Sequence, residues 1–234
     1  MIEVNADLGI GFDGDGDRLG IIDKEGRPIP GDLLTAFLSK SLIKNNDKTI
    51  ILDIKSSQVA YNKIIDNGFK VELWKTGHSH IKKRMKEINS PLAGEMSGHI
   101  FFAEGYYGYD DAIYASIKLL ELIANDNKLE KFISDLPITF SSPEIKINCD
   151  DNIKFDVIKK ILKNTLKDYA SEQVMELDGV RVQNKYGWWL IRASNTEAVL
   201  VVRVEGTSKE NKNMLLIEVK CHLKKAGLTW KYNK

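Results

Sequence analysis

The sequence has little cysteine, almost no net charge and no long apolar run, and each of these shortages excludes a class of protein. Two cysteines, Cys149 and Cys221, are too few for a disulfide framework or a cysteine zinc site. A formal net charge of +1 argues against bulk attraction to nucleic acids or anionic membranes. No run reaches the length of a membrane span, and the first residues lack an export signal. We therefore expect a cytoplasmic protein whose partner binds at a defined site.

Three carboxylates stand at every second position in the segment Asp13-Gly14-Asp15-Gly16-Asp17-Arg18. Held together without a cation, Asp13, Asp15 and Asp17 would repel one another. Oxygen ligands suit a hard divalent ion such as Mg²⁺ or Mn²⁺, and the intervening glycines allow the tight turn that such a loop needs. The apolar runs 6–12 and 19–22 on either side predict two strands, the first of them buried, so the segment predicts a metal site at a strand end.

Other interpretations of this acidic segment are weaker. An EF-hand loop counted from Asp13 needs glycine at its sixth position and glutamate at its twelfth, where this chain has Arg18 and Lys24. A phosphatase of the haloacid dehalogenase type would use Asp13 as nucleophile and Asp15 as acid and base, but that pattern normally continues with threonine or valine, not Asp17. An acidic solvated turn is the remaining alternative.

Strand and helix patterns alternate over the first half of the chain, which predicts an α/β domain. A helix over 111–124 would place Ile113, Ile117, Leu120 and Ala124 on one face. The other predicted elements are helices over 31–44, 57–66 and 79–88 and strands over 49–54 and 69–74.

The order of elements changes after a predicted linker at 137–143. One strand over 144–149 and a helix over 152–169 are followed by strands near 174–177, 179–183, 188–193 and 198–205. A closing helix is expected to start at the capping box Thr207-Ser208-Lys209-Glu210 and to end near Gly227. This grouping predicts a smaller α+β domain with an antiparallel sheet.

Two further segments of the first half carry chemistry. Trp74-Lys75-Thr76-Gly77-His78-Ser79 is a strand-to-helix turn whose amides, cation and imidazole suit an anion. In Gly94-Glu95-Met96-Ser97-Gly98-His99, the side chains of Glu95, Ser97 and His99 share one side if the backbone is extended. A carboxylate and a hydroxyl there can hold sugar hydroxyls, and an imidazole can move a proton. Each segment alone also fits a purely structural role.

A third constellation lies in the second half. Arg192-Ala193-Ser194-Asn195-Thr196 falls between two predicted strands, and Arg203 follows on the second of them. A guanidinium with hydroxyls and loop amides makes a phosphate site without a Walker sequence, although a polar hairpin turn is an equal alternative. Lys55 follows the end of the predicted strand 49–54, which places it near the two first-half segments described above. Taken alone, it fits a surface lysine better.

Taken together, the acidic loop, the Lys75–Ser79 turn, the Glu95–His99 segment and the Arg192–Thr196 loop resemble the α-D-phosphohexomutases, most closely the bacterial phosphomannomutase/phosphoglucomutase type. The resemblance runs over essentially the whole chain. It implies an isomerase of carbohydrate metabolism that interconverts hexose 6-phosphate and hexose 1-phosphate by intramolecular phosphoryl transfer. It also implies one Mg²⁺ ion, a hexose 1,6-bisphosphate activator and a mixed-sheet α/β domain followed by a smaller α+β domain.

The resemblance assigns roles residue by residue. Asp13, Asp15 and Asp17 become the metal ligands, and Arg18 and His99 the catalytic residues, with His99 a candidate proton carrier. Substrate contacts fall to Lys55, Thr76, Gly77, His78, Glu95, Ser97 and His99. The phosphate that is not reacting is held by Arg192, Ser194, Asn195, Thr196 and Arg203.

One part of the family pattern does not occur in this sequence, namely a serine loop like Thr-Ala-Ser-His-Asn-Pro whose phosphoserine donates the phosphoryl group. The resemblance therefore implies a C-terminal fragment: 1–27 as the remnant of a second domain, 28–138 as a third, sugar-binding domain and 139–234 as a fourth, phosphate-binding domain. We expect weak Mg²⁺ binding, no turnover by the chain alone and the missing N-terminal half as a partner. A catalytically silent sugar-phosphate-binding module is the alternative function.

Overall fold

The alternation of strands and helices predicted for the first half of the chain is confirmed in the computed structural model, which describes residues 2–44 and 46–230. The chain divides into two units, Met1–Pro137 (unit 1) and Ile138–Lys234 (unit 2). Positions 1 and 231–234, at the ends of the predicted domains 1–27 and 139–234, lie outside the described residues.

Unit 1 contains two sheets. The first is an antiparallel sheet of β1 (Leu8–Phe12), β2 (Leu19–Asp23) and β3 (Pro28–Ile29). The second has the order β5-β4-β6-β7-β8, with β4 (Thr49–Asp53), β5 (Lys70–Trp74), β6 (Leu92–Gly94), β7 (Ile100–Phe102) and β8 (Tyr109–Asp110). It is mixed, because β4 runs parallel to β5 and β6 while β7 and β8 are antiparallel, and this confirms the predicted mixed-sheet α/β class.

Five helices complete unit 1: α1 (Gly31–Leu38), α2 (Gln58–Asp66), α3 (His78–Ile88), α4 (Ala112–Ala124) and α5 (Leu129–Ser134). The predicted helix 31–44 is too long, since α1 ends at Leu38 and is followed by one 3₁₀ turn. Two of these helices begin at side-chain caps, because Ser57 accepts a hydrogen bond from Val59 N and Asp111 accepts one from Tyr114 N.

In unit 1 the apolar face predicted for α4 is exposed, and the prediction that β1 is buried is wrong. The face of α4 formed by Ile113, Ile117 and Leu120 is exposed, and the helix instead buries the stripe Ala112, Ala115, Ser116, Leu119 and Leu122. Small residues allow this stripe to approach the sheet closely. Strand β1 was expected to be buried, but it lies at the edge of its sheet with Phe12 49% exposed.

Unit 2 is built on one antiparallel sheet, as predicted. Its order is β10-β14-β13-β12-β11, and β9 also pairs with β14. The strands are β9 (Phe140–Ser141), β10 (Ile145–Asn148), β11 (Val174–Met175), β12 (Val180–Asn184), β13 (Gly187–Ala193) and β14 (Val199–Gly206), and the helices are α6 (Lys154–Asp168) and α7 (Lys209–Lys225). The inner face, with Trp189, Ile191 and Val202, packs against apolar side chains of both helices.

The start of α7 differs from the predicted capping box. Ser208, not Thr207, is the N-cap, and its Oγ accepts a hydrogen bond from Asn211 N at 3.1 Å. Glu210 therefore lies one position early for the reciprocal bond of a capping box. The predicted linker 137–143 is also partly wrong, because Phe140 and Ser141 form β9 and pair with Gly206 and Glu205. Within the described residues, no helix combines the length and the apolar character that a membrane crossing requires.

Candidate functional site

The acidic segment forms the connection between the antiparallel strands β1 and β2. Gly16 adopts a positive φ of 74°, which glycine tolerates best, and its N–H donates to Asp13 O. The amide of Arg18 donates to Asp13 Oδ1 at 3.1 Å, and this bond together with the Arg18 charge lowers the pKa of Asp13. At the far side of the loop, Ala112 N at the start of α4 donates to Gly16 O. The loop is thus fixed by main-chain bonds at both ends.

The three carboxylates of this loop fit a divalent cation. Asp13, Asp15 and Asp17 each offer an oxygen, and these atoms lie within 4.8 Å of one another. Asp17 Oδ1 is buried and accepts no hydrogen bond from the described residues, with Arg18 Nε 3.9 Å away. A buried carboxylate oxygen without a donor is costly unless a cation neutralises it, and a donor set made only of oxygens is the one Mg²⁺ prefers.

Glu95, Ser97 and His99 lie in the turn between β6 and β7. The backbone here is a turn and not the extended segment considered above, because Gly98 N donates to Glu95 O and Gly98 has a φ of 101°. The side chains nevertheless converge, since Ser97 Oγ donates to Glu95 Oε2 at 3.3 Å and His99 Nδ1 lies 2.7 Å from the same oxygen. A tight hairpin turn brings the three groups together where an extended strand would have spaced them.

Glu95 and His99 form a partly buried ion pair that is joined to the acidic loop. Burial alone would raise the pKa of Glu95, but the hydrogen bonds from His99 and from Gly77 N lower it. Burial would lower the pKa of His99, but the Glu95 carboxylate and the Asp17 charge raise it. His99 Nε2 lies 3.3 Å from Asp17 Oδ2, and Arg18 and His99 form a backbone bridge. Leu19 N also donates to Gly98 O at 3.0 Å, so the acidic loop and the Glu95 turn form one site.

The predicted anion site before α3 is partly occupied by Glu95. Gly77 is the N-cap residue, with a φ of 121°, and its N–H donates to Glu95 Oε1 at 2.6 Å. Thr76 precedes it, and His78 at the first helical position places Nδ1 3.5 Å from Asp110 Oδ2. The structure therefore brings the Lys75–Ser79 turn to the same site as Glu95.

The end of β4 and the loop after it add two buried ionisable side chains, Asp53 and Lys55. Lys55 is only 8% exposed, so its interpretation as a surface lysine is wrong. Its Nζ lies 3.9 Å from Asp53 Oδ2, and both residues sit close enough to Glu95 for their charges to interact with it. Asp53 Oδ1 accepts hydrogen bonds from Ser56 Oγ at 2.6 Å and from Met96 N at 3.3 Å. Asp53 thereby ties the Lys55 loop to the Glu95 turn.

Sequence reasoning missed Asp53, Asp110 and Lys82 as members of this site. Asp53 ends a buried strand, a position that could have been noticed. Asp110 is the end of the two-residue strand β8, and Lys82 reaches it from one turn into α3 with Nζ 2.9 Å from Asp110 Oδ1. The pairing of β8 with β7 brings Asp110 toward His99, and no local sequence pattern predicts that pairing.

The candidate phosphate loop in unit 2 follows β13. Ser194 is buried, and its Oγ accepts hydrogen bonds from Thr196 N at 3.3 Å and Glu197 N at 3.1 Å. Asn195 and Thr196 are exposed at the tip of the loop. Lys154 Nζ donates to Ser194 O at 2.6 Å and holds the loop from α6. The loop is therefore a braced turn with its tip open to solvent.

Two arginines accompany this loop on one face of the unit 2 sheet. Arg192 lies opposite Val201 and Arg203 opposite Leu190, so both side chains leave the sheet on the same side. Arg192 Nε donates to Asp178 Oδ2 at 3.0 Å. Arg203 is 7% exposed, yet its Nε and Nη1 find no acceptor among the described residues. A buried guanidinium with unsatisfied N–H groups favours an anion as its partner.

Comparison with known proteins places both units in one family. The family model described as phosphoglucomutase/phosphomannomutase, alpha/beta/alpha domain III, matches residues 30–140, and the model for the C-terminal domain of the same enzymes matches residues 144–219. The phosphomannomutase/phosphoglucomutase of Pseudomonas aeruginosa is 42% identical over 208 residues, which cover 88% of this chain and 44% of that protein. The chain therefore spans less than half the length of this relative.

Solved structures give the same result. A phosphoglucomutase/phosphomannomutase family protein from Burkholderia thailandensis superposes with a TM-score of 0.85 at 33% identity, covering 97% of this chain and 48% of that one. The N-acetylphosphoglucosamine mutase of Aspergillus fumigatus, in complex with GlcNAc-6P and magnesium, superposes with a TM-score of 0.65 at 17% identity, covering 93% and 48%. The second likeness shows the fold alone.

Proposed function

The chain belongs to the phosphoglucomutase/phosphomannomutase family, and we propose that it supplies the metal-binding, sugar-binding and phosphate-binding parts of a hexose-phosphate mutase. The reaction is the interconversion of hexose 6-phosphate and hexose 1-phosphate by intramolecular phosphoryl transfer through a bisphosphate intermediate. Family membership supports this proposal over a phosphatase of the haloacid dehalogenase type, and so does the position of Asp13 after an antiparallel edge strand.

The observation that carries the proposal is the position of His99 between two sets of groups. Its Nδ1 is 2.7 Å from Glu95, in the proposed sugar-binding turn, and its Nε2 is 3.3 Å from Asp17, in the proposed metal loop. A group that holds a sugar hydroxyl and a group that neutralises a phosphoryl oxygen must be neighbours if phosphate moves to that hydroxyl.

Within the proposed metal loop, Asp13, Asp15 and Asp17 hold Mg²⁺, and Arg18 faces the reacting phosphoryl group. When bound, the ion neutralises charge on the phosphoryl oxygens. Arg18 Nε now lies 3.0 Å from Asp13 Oδ2, with 55% of its side chain exposed, so it can turn toward an incoming phosphate. A guanidinium is well suited to that contact because it offers two parallel N–H donors.

The residues around Glu95 bind the sugar. The Glu95 carboxylate accepts hydrogen bonds from sugar hydroxyl groups, and the Ser97 hydroxyl donates to them or accepts from them. Lys55 and the Thr76–His78 turn contact the remainder of the substrate. His99 keeps Nδ1 on Glu95, which leaves Nε2 as the atom that holds or passes a proton. Because Glu95 is 2% exposed and its oxygens already accept from Gly77 N and bond to His99, its orientation is fixed before substrate arrives.

In unit 2, we assign Arg192, Ser194, Asn195, Thr196 and Arg203 to phosphate binding. Arg203 supplies buried N–H groups, and the open tip at Asn195 and Thr196 supplies further donors. This is a binding role, for a phosphate that keeps its bond to the sugar.

The chain's own share of the reaction is expected to be binding without turnover. No serine loop of the expected kind occurs in the sequence, and the Pseudomonas relative is more than twice as long as the matched region. A catalytically silent sugar-phosphate-binding module is the second candidate function, supported by the same observation. Both candidates predict binding, and only the first predicts that turnover appears once a serine-bearing N-terminal half is added with hexose 1,6-bisphosphate.

Calorimetry with glucose 1-phosphate and mannose 1-phosphate, with and without Mg²⁺, tests the binding. Glu95→Gln is expected to weaken both sugar phosphates by about tenfold or more, since a charged hydrogen-bond partner is lost. The matched control is Glu72→Gln, which removes a β5 carboxylate that pairs with Arg84 of α3 and should leave the affinity unchanged. Unchanged affinity in Glu95→Gln removes Glu95 from the sugar site.

The phosphate loop has its own test. Arg192→Lys keeps the charge but removes the planar fork, so affinity for both sugar phosphates should fall, and Arg84→Lys serves as the matched control. Turnover is then measured after mixing with the N-terminal half of the Pseudomonas relative. Binding with no turnover in the mixture favours the silent module, and no binding by the wild-type chain refutes both candidates.

A further inference from the structure

A second group of potential metal ligands adjoins the acidic loop. Asp17, His99 and Asp110 each offer one ligand atom, and these atoms lie within 4.8 Å of one another. Only Asp17 belongs to the acidic loop, while His99 precedes β7 and Asp110 ends β8. This group differs from the acidic loop in kind, because it contains an imidazole nitrogen.

Two distances among these residues and their neighbour His78 are close to the edge length of a tetrahedral site. His99 Nε2 lies 3.3 Å from Asp17 Oδ2, and His78 Nδ1 lies 3.5 Å from Asp110 Oδ2. Zinc bonds to nitrogen and oxygen of roughly 2.0–2.1 Å at tetrahedral angles separate neighbouring ligand atoms by about 3.3 Å. These two distances fit a tetrahedral ion, and the ligand atoms of Asp17, His99 and Asp110 all lie within 4.8 Å of one another. His78, whose side chain is 55% exposed and already lies 3.5 Å from Asp110 Oδ2, can serve as the fourth ligand.

Other side chains hydrogen-bond to these ligands and orient them, as the outer partners of metal ligands do in zinc sites. The Nδ1 of His99 is 2.7 Å from Glu95 Oε2, which directs Nε2 toward Asp17. Glu95 is itself fixed by Gly77 N. Lys82 Nζ holds Asp110 Oδ1 at 2.9 Å, which leaves Oδ2 on the His78 side. Carboxylate–histidine–metal arrangements of this type fix the imidazole tautomer and raise its basicity as a ligand.

We propose that Asp17, His99 and Asp110, with His78, form a binding site for a borderline-soft divalent cation such as Zn²⁺, which shares Asp17 with the oxygen site of Asp13, Asp15 and Asp17 but has a different donor set. An imidazole nitrogen among the donors favours Zn²⁺ over Mg²⁺, whereas a loop with only oxygen donors suits Mg²⁺. The inference rests on this geometry and not on the proposed function. Since Asp17 is common to both sets, occupation of one site weakens the other.

The test measures the affinity of the metal-free chain for Zn²⁺ by competition with a chromophoric chelator, and for Mg²⁺ by calorimetry. We expect His99→Gln and Asp110→Asn to lower the affinity for Zn²⁺ by at least about tenfold, as loss of a metal ligand or of its hydrogen-bond partner does in other sites. Both variants should change the affinity for Mg²⁺ little. Asp15→Asn should do the opposite. His80→Gln, a neighbouring histidine outside the group, is the control for surface binding.

Two outcomes overturn the inference. One is an equal loss of Zn²⁺ affinity in Asp15→Asn and His99→Gln, which places Zn²⁺ in the acidic loop. The other is unchanged Zn²⁺ affinity in His99→Gln. A measurement on the wild-type chain does not depend on how the variants fold: bound Co²⁺ should give the intense visible bands of a four-coordinate site with nitrogen ligation. The weak bands of a six-coordinate oxygen site would contradict the proposal.

Discussion

Replacing Asp53 with asparagine is expected to change how the free energy of unfolding depends on pH. The Asp53 carboxyl is fully buried at the end of β4, and burial raises its pKa to about 6. Lys55 lowers that pKa in part, while the charges of Glu95 and Asp32 raise it further. Asparagine keeps the oxygen that accepts from Ser56 and Met96 but does not titrate.

The magnitude follows from proton linkage. In the unfolded chain the Asp53 pKa returns to about 3.8, so the folded value is higher by about two units, worth roughly 3 kcal/mol at ~1.36 kcal/mol per unit. Between the two values the folded protein holds a proton that the unfolded chain has released. Rising pH therefore favours unfolding, and this component of stability is present below pH 3.8 and lost as the pH rises through 6.

The assay is urea unfolding followed by circular dichroism, for wild type and Asp53→Asn at several pH values. The free energy of unfolding of wild type minus that of the variant should fall by about 2 kcal/mol between about pH 4.5 and pH 7.5. Titrating groups that do not interact with Asp53 are common to both proteins and cancel in the difference. Asp47→Asn, which makes the same substitution at a side chain that is 94% exposed, is the control for the chemical change itself.

A flat difference curve for Asp53→Asn would refute the reasoning. It would mean that the Asp53 carboxyl has the same proton affinity in the folded and unfolded chain, and that burial beside Lys55 costs its charged form nothing. A curve that rises with pH would show that the Lys55 charge outweighs burial.

Two further predictions concern packing and charge in the same site. Gly94→Ala should destabilise the chain by more than about 2 kcal/mol, because an added Cβ would lie 2.7 Å from Thr35 Cβ, whereas Gly11→Ala meets no atom within 4 Å and should cost less than about 1 kcal/mol in urea unfolding. In chelator-treated protein, Glu95→Gln should lower the pKa of His99 measured by NMR titration of its ring protons, because the carboxylate that stabilises the imidazolium is lost; an unchanged His99 pKa would contradict the ion pair.

The parts of the site that the sequence could predict are those whose residues are contiguous. The acidic loop places Asp13, Asp15 and Asp17 together through one short turn, so chemistry alone suggests a cation. Asp110 and Asp53 join the site only because β8 pairs with β7 and because the β4 loop meets the Glu95 turn. Such contacts depend on tertiary structure, and no spacing in the sequence encodes them.

Fold class was predictable for a similar reason, and element details were not. Periodicity identified the helix α4 but not which of its faces is buried. Ile113 and Ile117 recur at helical spacing just as Ala115 and Leu119 do. The hydrophobic effect rewards burial of the larger side chains, but close approach of helix and sheet requires small ones. The start of α7 shows the same ambiguity, because Thr207 and Ser208 are adjacent and both can cap a helix.

The unit 1 site is held mainly by main-chain atoms, and this explains how short turns can keep charged groups in place. Leu19 N donates to Gly98 O, Gly31 N to Met96 O and Ala112 N to Gly16 O, so each bond joins a functional turn to a different element. Gly98 has a φ of 101°, and a Cβ there would lie 2.7 Å from Leu19 O. These three bonds do not depend on which side chains the site carries, whereas a side chain at Gly98 would disturb the contact between the Glu95 turn and the acidic loop.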